Sequence, residues 1–267
     1  LDRTLTIEGA GTPFHAQLRG TDARTVFLHG FAGDLHTWDG LWENLGESLP
    51  ALRYDLRGFG RTPGGADGTY SHADDLLAVL DGAGIERADL VGVSMGGGIA
   101  LNFALDHPGR VGSVVLISPG LVAWEWSEDW RTLWQPLVEL ARAGRMDEAR
   151  RLWWQHPLFA TTRDSDGGPA LREAILRYPG SHWVRDSHRL MLPDVERLHH
   201  LEARTRLLTG GRDLAEFRLI AELIEASVND LVRIELPECG HLLQLENPAE
   251  CARRILAFLD VPAPGRD

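Results

Sequence analysis

Residues 92–96 read Gly-Val-Ser-Met-Gly, and they constrain the fold more than any other stretch of this chain. An apolar run, Ala88 to Val93, leads into them, and a helix-like segment, Ile99 to Leu105, follows. G-x-S-x-G between a strand and a helix predicts a tight elbow that holds its central residue, Ser94, in a strained conformation with the hydroxyl exposed. The flanking glycines have a steric reason, since side chains there would collide with the turn. Five residues are a short pattern. Its weight comes from the strand before it and from the residues downstream.

Around the elbow the chain alternates between strand and helix patterns. Thr4 to Glu8 and Phe14 to Leu18 read as short strands, and the turn-rich Gly9 to Pro13 makes them a hairpin. Thr25 to Leu28 is an apolar strand ending in His29-Gly30-Phe31-Ala32-Gly33. Ala51 to Asp55 is the next, followed by Arg57-Gly58-Phe59-Gly60-Arg61. A helix is predicted over Ser71 to Ala83, and a buried strand over Val111 to Ile117. From Leu121 to Ala203 strand signals give way to helical periods punctuated by Pro136, Pro157, Pro169, Pro179 and Pro193. The alternation then resumes with strands over Thr205 to Thr209 and Leu231 to Leu236, a helix over Glu216 to Ser227, and a last helix opened by Asn247-Pro248-Ala249-Glu250. Pro262 to Asp267 reads as a polar tail. Such alternation implies an α/β fold with a mostly parallel sheet covered by helices on both faces. Residues 1–120 and 204–267 are expected to form its core domain, with 121–203 inserted over the sheet as a helical cap.

Composition narrows the chemistry. The net charge is -12, which argues against nucleic acid and anionic membrane surfaces as partners. All 27 basic residues are arginine, so no lysine is present for Schiff-base chemistry or a P-loop. Two cysteines, Cys239 and Cys251, make no disulfide framework, and no Cys/His spacing resembles a zinc site. Leu1 to Gly11 lacks the apolar stretch of a signal peptide, and no run is long enough to span a bilayer. A reducing cytoplasm is the expected location.

A serine hydroxyl needs a base to take its proton and an acid to orient that base. Open parallel sheets present functional residues at the carboxyl ends of their strands. After Ser94, the residues in such positions are Asp213, in Gly210-Gly211-Arg212-Asp213, and His241, in Cys239-Gly240-His241. Asp213 also stands where it could cap a helix near Leu214, and His241 is one of 11 histidines, so position and chain order carry the assignment. The oxyanion of an acyl-transfer intermediate needs two aimed donors. The expected ones are the Met95 and Phe31 amides. Asp55 and Arg57 are expected to tie loops together, and His29 to shape the loop after its strand.

With these residues in place the chain resembles the α/β-hydrolase superfamily over nearly its whole length. The matching residues are His29-Gly30-Phe31, D-x-R-G-x-G at 55–60, G-x-S-x-G at 92–96, G-x-D at 211–213 and Gly240-His241. Within it the chain looks most like capped serine esterases, enol-lactonases and cofactor-free perhydrolases, a group that Gln155-His156-Pro157-Leu158-Phe159 also matches. Val93 stands where a His often precedes the nucleophile, and Thr62 where a Ser is common. Leu242-Leu243 follows His241, not the aromatic pair associated with C–C bond hydrolases. The resemblance implies a serine hydrolase cleaving a small carboxylic ester or lactone through Ser94, Asp213 and His241, with no metal or organic cofactor. A C–C hydrolase or lyase using the same triad, and a small-molecule receptor with vestigial turnover, are the alternatives. Seven tryptophans lie in the predicted cap: Trp124, Trp126, Trp130, Trp134, Trp153, Trp154 and Trp183. Two or three should face the pocket and favour a substrate with an apolar or aromatic moiety. Residues 120–203 carry 11 Arg and 13 acids, and a cap arginine reaching the pocket would suit a substrate carboxylate.

Overall fold

The computed structural model describes residues 2–64, 69–185, 187–189 and 192–260. The tail at 262–267 lies outside them. Two strands, β1 (Arg3–Gly9) and β2 (Thr12–Arg19), open the chain as a hairpin. They run longer than the sequence pattern implies because the turn is only Ala10-Gly11, both at positive φ, a geometry that matches the twist of the strands. Pro13 fits inside β2 because the pairing with the next strand begins only at Ala16.

The chain then alternates: β3 (Thr25–Leu28), α1 (Asp39–Leu45), β4 (Ala51–Tyr54), α2 (His72–Ala83), β5 (Ala88–Val93), α3 (Met95–Asp106) and β6 (Val111–Ile117). Helices α4 (Glu128–Arg142), α5 (Met146–Trp154), α6 (Ala160–Arg163), α7 (Gly168–Arg177) and α8 (Ser181–Val184) follow without an intervening strand. The alternation resumes with β7 (Arg204–Gly210), α9 (Ala215–Ser227), β8 (Leu231–Leu236), α10 (Leu243–Glu246) and α11 (Pro248–Phe258). The eight strands form one sheet in the order β1-β2-β4-β3-β5-β6-β7-β8. Only β1 and β2 run against their neighbours; every pairing from β4 to β8 is parallel.

Strands β3 and β4 are buried at every position, and β5 and β6 at all but one. That is why they read as continuous apolar runs rather than alternating ones. Local signals set the helix ends. The Ser71 hydroxyl accepts from the Ala73 and Asp74 amides, and Gly84 closes α2 at φ 71°. Asn247 caps α11 by accepting from the Glu250 amide, with Pro248 as first residue.

Between β6 and β7 the described residues are helical or irregular, apart from one bridge between Tyr70 and His188. Pro136 does not end a helix there. It sits inside α4, whose flanks are held by the Ser127 cap and by packing of Leu137 and Ala141. Several side-chain bonds tie the segment to the sheet region. Arg177 pairs with Asp34 at 2.8 Å, Asn102 donates to Asp194 at 2.9 Å, and Glu216 accepts from the Trp124 indole, the Ser127 amide and the Ser127 hydroxyl.

Candidate active site

The elbow forms where the sequence predicts it. Ser94 lies between β5 and α3 with φ 53° and ψ -117°, a conformation that serine rarely adopts. Adjacent strand ends hold it: the Ser94 amide donates to Ile117 O, and the Gly120 amide to Ser94 O, both at 2.9 Å. A methyl group on Gly96 would overlap the Leu28 carbonyl, so α3 can approach β3 only without a side chain there.

The Ser94 hydroxyl lies 2.8 Å from His241 Nε2. The other ring nitrogen, Nδ1, is 3.1 and 3.0 Å from the two Asp213 carboxylate oxygens. These partners select one neutral tautomer: Nδ1–H donates to the carboxylate, and Nε2 accepts from the serine hydroxyl. All three residues are buried, His241 at 1%, Asp213 at 8% and Ser94 at 9% exposure. Asp213 does not cap α9 with its side chain; Leu214 is the residue before that helix, and Asp213 accepts from its amide at 2.7 Å. Gly210 brings the two loops together, since a methyl there would overlap the Gly240 carbonyl. The Arg212 amide then donates to Cys239 O at 2.9 Å.

Met95 is the first residue of α3, so its N–H has no acceptor within the helix. Phe31 follows Gly30, which packs directly on Ser94: a methyl at Gly30 would sit 3.4 Å from the Ser94 β-carbon. Phe31 and Met95 both line the cavity above the serine.

His29, Asp55 and Arg57 take supporting positions. His29 is fully buried; its Nδ1 donates to Gly30 O and its Nε2 accepts from the Leu56 amide. Burial keeps it neutral by lowering its pKa. The Asp55 carboxylate accepts from the Leu35 and Arg61 amides at 2.8 and 2.7 Å. Arg57 makes a two-pronged pair with Asp75 and also reaches the Ala10 carbonyl. Burial pushes the Cys239 thiol up to about 11 and the Cys251 thiol higher still, so neither supplies a thiolate near neutral pH. Among the described residues no three His, Cys, Asp or Glu side chains converge to hold a metal ion.

A cavity of about 440 Å³ opens over Ser94 and His241. Four of the seven tryptophans line it, Trp126, Trp130, Trp134 and Trp153, where two or three were expected. Trp124, Trp154 and Trp183 do not. Trp124 is held by its hydrogen bond to Glu216. Trp154 packs half-buried on the core, its carbonyl accepting from Arg163. Trp183 is fully buried against Tyr178, with ring centres 4.9 Å apart. The sequence placed all seven in the segment; only tertiary packing decided which of them turned inward.

Several residues in and around the cavity had no signal in the sequence. Phe217 of α9 packs 4.1 Å from the His241 ring. Glu246 accepts from the Gly240 amide and from the Thr162 hydroxyl, bracing the histidine loop against the helical segment. Asn102, Gln244 and Arg131 also line the cavity, as do Tyr70, His72, His182 and His188. These contacts join residues far apart in the chain, which periodicity cannot pair.

His156 lies beside this site. Its Nδ1 accepts from the Leu158 amide at 3.2 Å, and Nε2 is buried without a partner. Burial, then His241 and Arg163, lower its pKa to about 4 from 6.5. The unfolded chain therefore binds a proton at His156 between pH 6.5 and 4 where the folded chain does not. Stability must fall as pH drops through that window. His156→Asn keeps an acceptor for Leu158 and removes the titration. The stability gap between wild type and variant, read from denaturation midpoints, should shift in the variant's favour from pH 7 to pH 4.5. A gap independent of pH would refute this.

A family model described as alpha/beta hydrolase fold matches residues 26–145. The protein named putative carbamate hydrolase RutD, from Variovorax paradoxus, is 37% identical over 95% of this chain and 98% of its own length. The chain belongs to the α/β-hydrolase superfamily. A 2-hydroxymuconate semialdehyde hydrolase of Pseudomonas sp. (strain CF600) is 30% identical over 97% of this chain and 94% of its own length. The crystal structure of carboxylesterase CesB from Bacillus subtilis superposes with a TM-score of 0.82 at 20% identity, covering 97% of this chain and 92% of that one, and so shares the fold. The α/β-hydrolase described here is thus an enzyme with hydrolase activity, and its relatives act on small molecules. Among the described residues no helix is long and apolar enough to cross a membrane.

Proposed function

We propose that this α/β-hydrolase cleaves a small carboxylic ester or lactone through an acyl-enzyme on Ser94. The observation that carries the reading is the buried relay from Ser94 through His241 to Asp213, ending at a strained elbow on the cavity floor. His241 Nε2 takes the hydroxyl proton as Ser94 Oγ attacks the carbonyl carbon. Asp213 stabilises the imidazolium, and the Phe31 and Met95 amides receive the developing oxyanion. Collapse expels the alcohol, which takes the proton from His241. A water then gives its proton to the same nitrogen, attacks the acyl carbon and releases the acid and free Ser94. In a lactone the expelled alcohol stays joined to the acyl group. Residues 121–203 serve as a cap whose aromatics select the substrate.

A second reading is supported by relatives such as the semialdehyde hydrolase that is 30% identical over most of both chains. C–C cleavage of a vinylogous diketone would use the same triad. Leu242-Leu243 after His241 weighs against it, as does the wholly apolar side chain that Leu242 presents to the cavity. A binding protein with residual turnover is the third.

A fluorophosphonate probe and a panel of p-nitrophenyl esters, lactones and diketones separate these. The expected result is stoichiometric labelling lost in Ser94→Ala, with turnover of esters or lactones. Labelling with turnover of diketones alone would favour C–C hydrolysis, and no labelling would favour a silent binder. Either outcome overturns the ester reading.

A further inference from the structure

The cavity over Ser94 has a charge pattern unlike the rest of the chain. The protein carries 39 acids against 27 arginines, yet among the described residues lining the cavity there is no Asp or Glu. One arginine lines it, Arg131 of α4. None of the other arginines of the helical segment that the structure describes lines the cavity, and six of them are bonded elsewhere. Arg142, Arg145, Arg150, Arg163, Arg177 and Arg197 each donate to a carboxylate or a backbone carbonyl. Arg131 makes no such bond among the described residues, and its side chain is exposed.

The neighbours of Arg131 fix where it stands. Trp130 precedes it, and Trp134 follows by three residues, less than one helical turn. Trp126 and Trp130 stack at 4.4 Å with 20° between planes, and Trp130 and Trp134 lie at 6.3 Å and 17°. The three near-parallel indoles stack face on face in a row whose apolar edges form a wall running toward the site, since Trp130 also meets Phe217, and Phe217 meets His241. Trp134 meets Phe31 at 5.1 Å on the other side. The start of α4 is pinned because Ser127 is bonded to Glu216. Arg131 lines the same cavity as these indoles and Ser94.

We infer that Arg131 anchors a carboxylate on the substrate, remote from the scissile carbonyl, and that the preferred substrates are anionic esters or lactones with a flat apolar body. This rests on the proposed ester or lactone reading. A guanidinium pairs a carboxylate through two parallel hydrogen bonds, and the bound body displaces the water that would otherwise screen the pair. The absence of an acid on the wall matters as much as the presence of Arg131, because a fixed carboxylate there would repel the substrate. Arg131 is a specificity residue and touches no reacting atom, so it should act on KM and leave kcat in place.

The test uses two p-nitrophenyl esters of one aryl-substituted dicarboxylic acid, the second carboxyl free in one and methylated in the other. Wild type, Arg131→Gln and Arg131→Lys are compared. In Arg131→Gln, KM for the free-acid ester should rise about 10- to 100-fold, the range for a charge-assisted hydrogen bond. Its kcat should stay within about twofold, and KM for the methylated ester should not move. Lysine should restore part of the loss, and salt should raise KM of wild type for the free-acid ester only. Equal shifts for both esters, or none, would overturn the inference. If neither ester turns over, calorimetry separates the two failures. An arylalkanoate should bind wild type more tightly than its primary amide, and Arg131→Gln should abolish that preference. Retention of the preference in the variant, or its absence in wild type, would count against Arg131 independently of any turnover.

Discussion

Ser94→Ala is expected to lower kcat on the order of 10⁴-fold or more while leaving melting temperature and secondary structure essentially unchanged. In the proposed mechanism the hydroxyl forms the acyl-enzyme, and its loss leaves the cavity, the amide donors and His241 in place. The fold tolerates the change because Ser94 contributes to stability through its backbone: its amide and carbonyl join the ends of β5 and β6. Alanine pays the same steric penalty at φ 53° that serine already pays. Steady-state kinetics on the best ester of the panel, with thermal denaturation alongside, decides the matter. A purified variant keeping most of its activity would remove Ser94 from the mechanism.

Asp213→Asn should cost turnover on the order of 10⁴-fold as well, with little change in stability. An amide cannot stabilise the imidazolium, and it offers its own N–H toward Nδ1, turning His241 to the wrong tautomer. Its remaining oxygen can still accept from the Leu214 amide. Asp55→Asn should behave in the opposite way. Both Asp55 oxygens accept from backbone amides, at Leu35 and Arg61, and an asparagine can satisfy only one of them. The other N–H loses its acceptor, visible as a lowered melting temperature with a much smaller fall in kcat. Turnover and melting temperature for the pair are diagnostic together. Equal activity losses with stability intact in both variants would mean that the two carboxylates had been given the wrong roles.

The helical segment between β6 and β7 carries a different kind of legibility. Its helical periods were readable: Met146, Ala149 and Trp153 lie on α5, and Leu171, Ala174 and Ile175 on α7. What was not readable is how those helices turn against the sheet region. Trp183, Trp154 and Trp124 share composition and neighbourhood with the cavity tryptophans and yet point elsewhere. Pro136 shows the same limit on a smaller scale. A proline disfavours a helix interior, but packing on both sides of it carried α4 through to Arg142.

Short-range physics made the rest visible from the sequence. A buried parallel strand has to be apolar on both faces, so β3, β5 and β6 declare themselves as runs. An elbow that forces its central residue to positive φ and lets a helix pass a strand needs glycine, so Gly92 and Gly96 mark Ser94. Functional groups stand at strand ends in parallel sheets, so position alone pointed to Asp213 and His241, which the fold brings to Ser94. Tertiary structure alone decided the 2.8 Å approach of His241 to Ser94. It also decided the bracing of the His241 loop by Glu246 and Thr162, the choice of four tryptophans, and the isolation of Arg131 on an acid-free wall. These depend on contacts between residues up to 147 positions apart. The energies that choose among such contacts come from packing and desolvation, and neither is a property of a local stretch of chain.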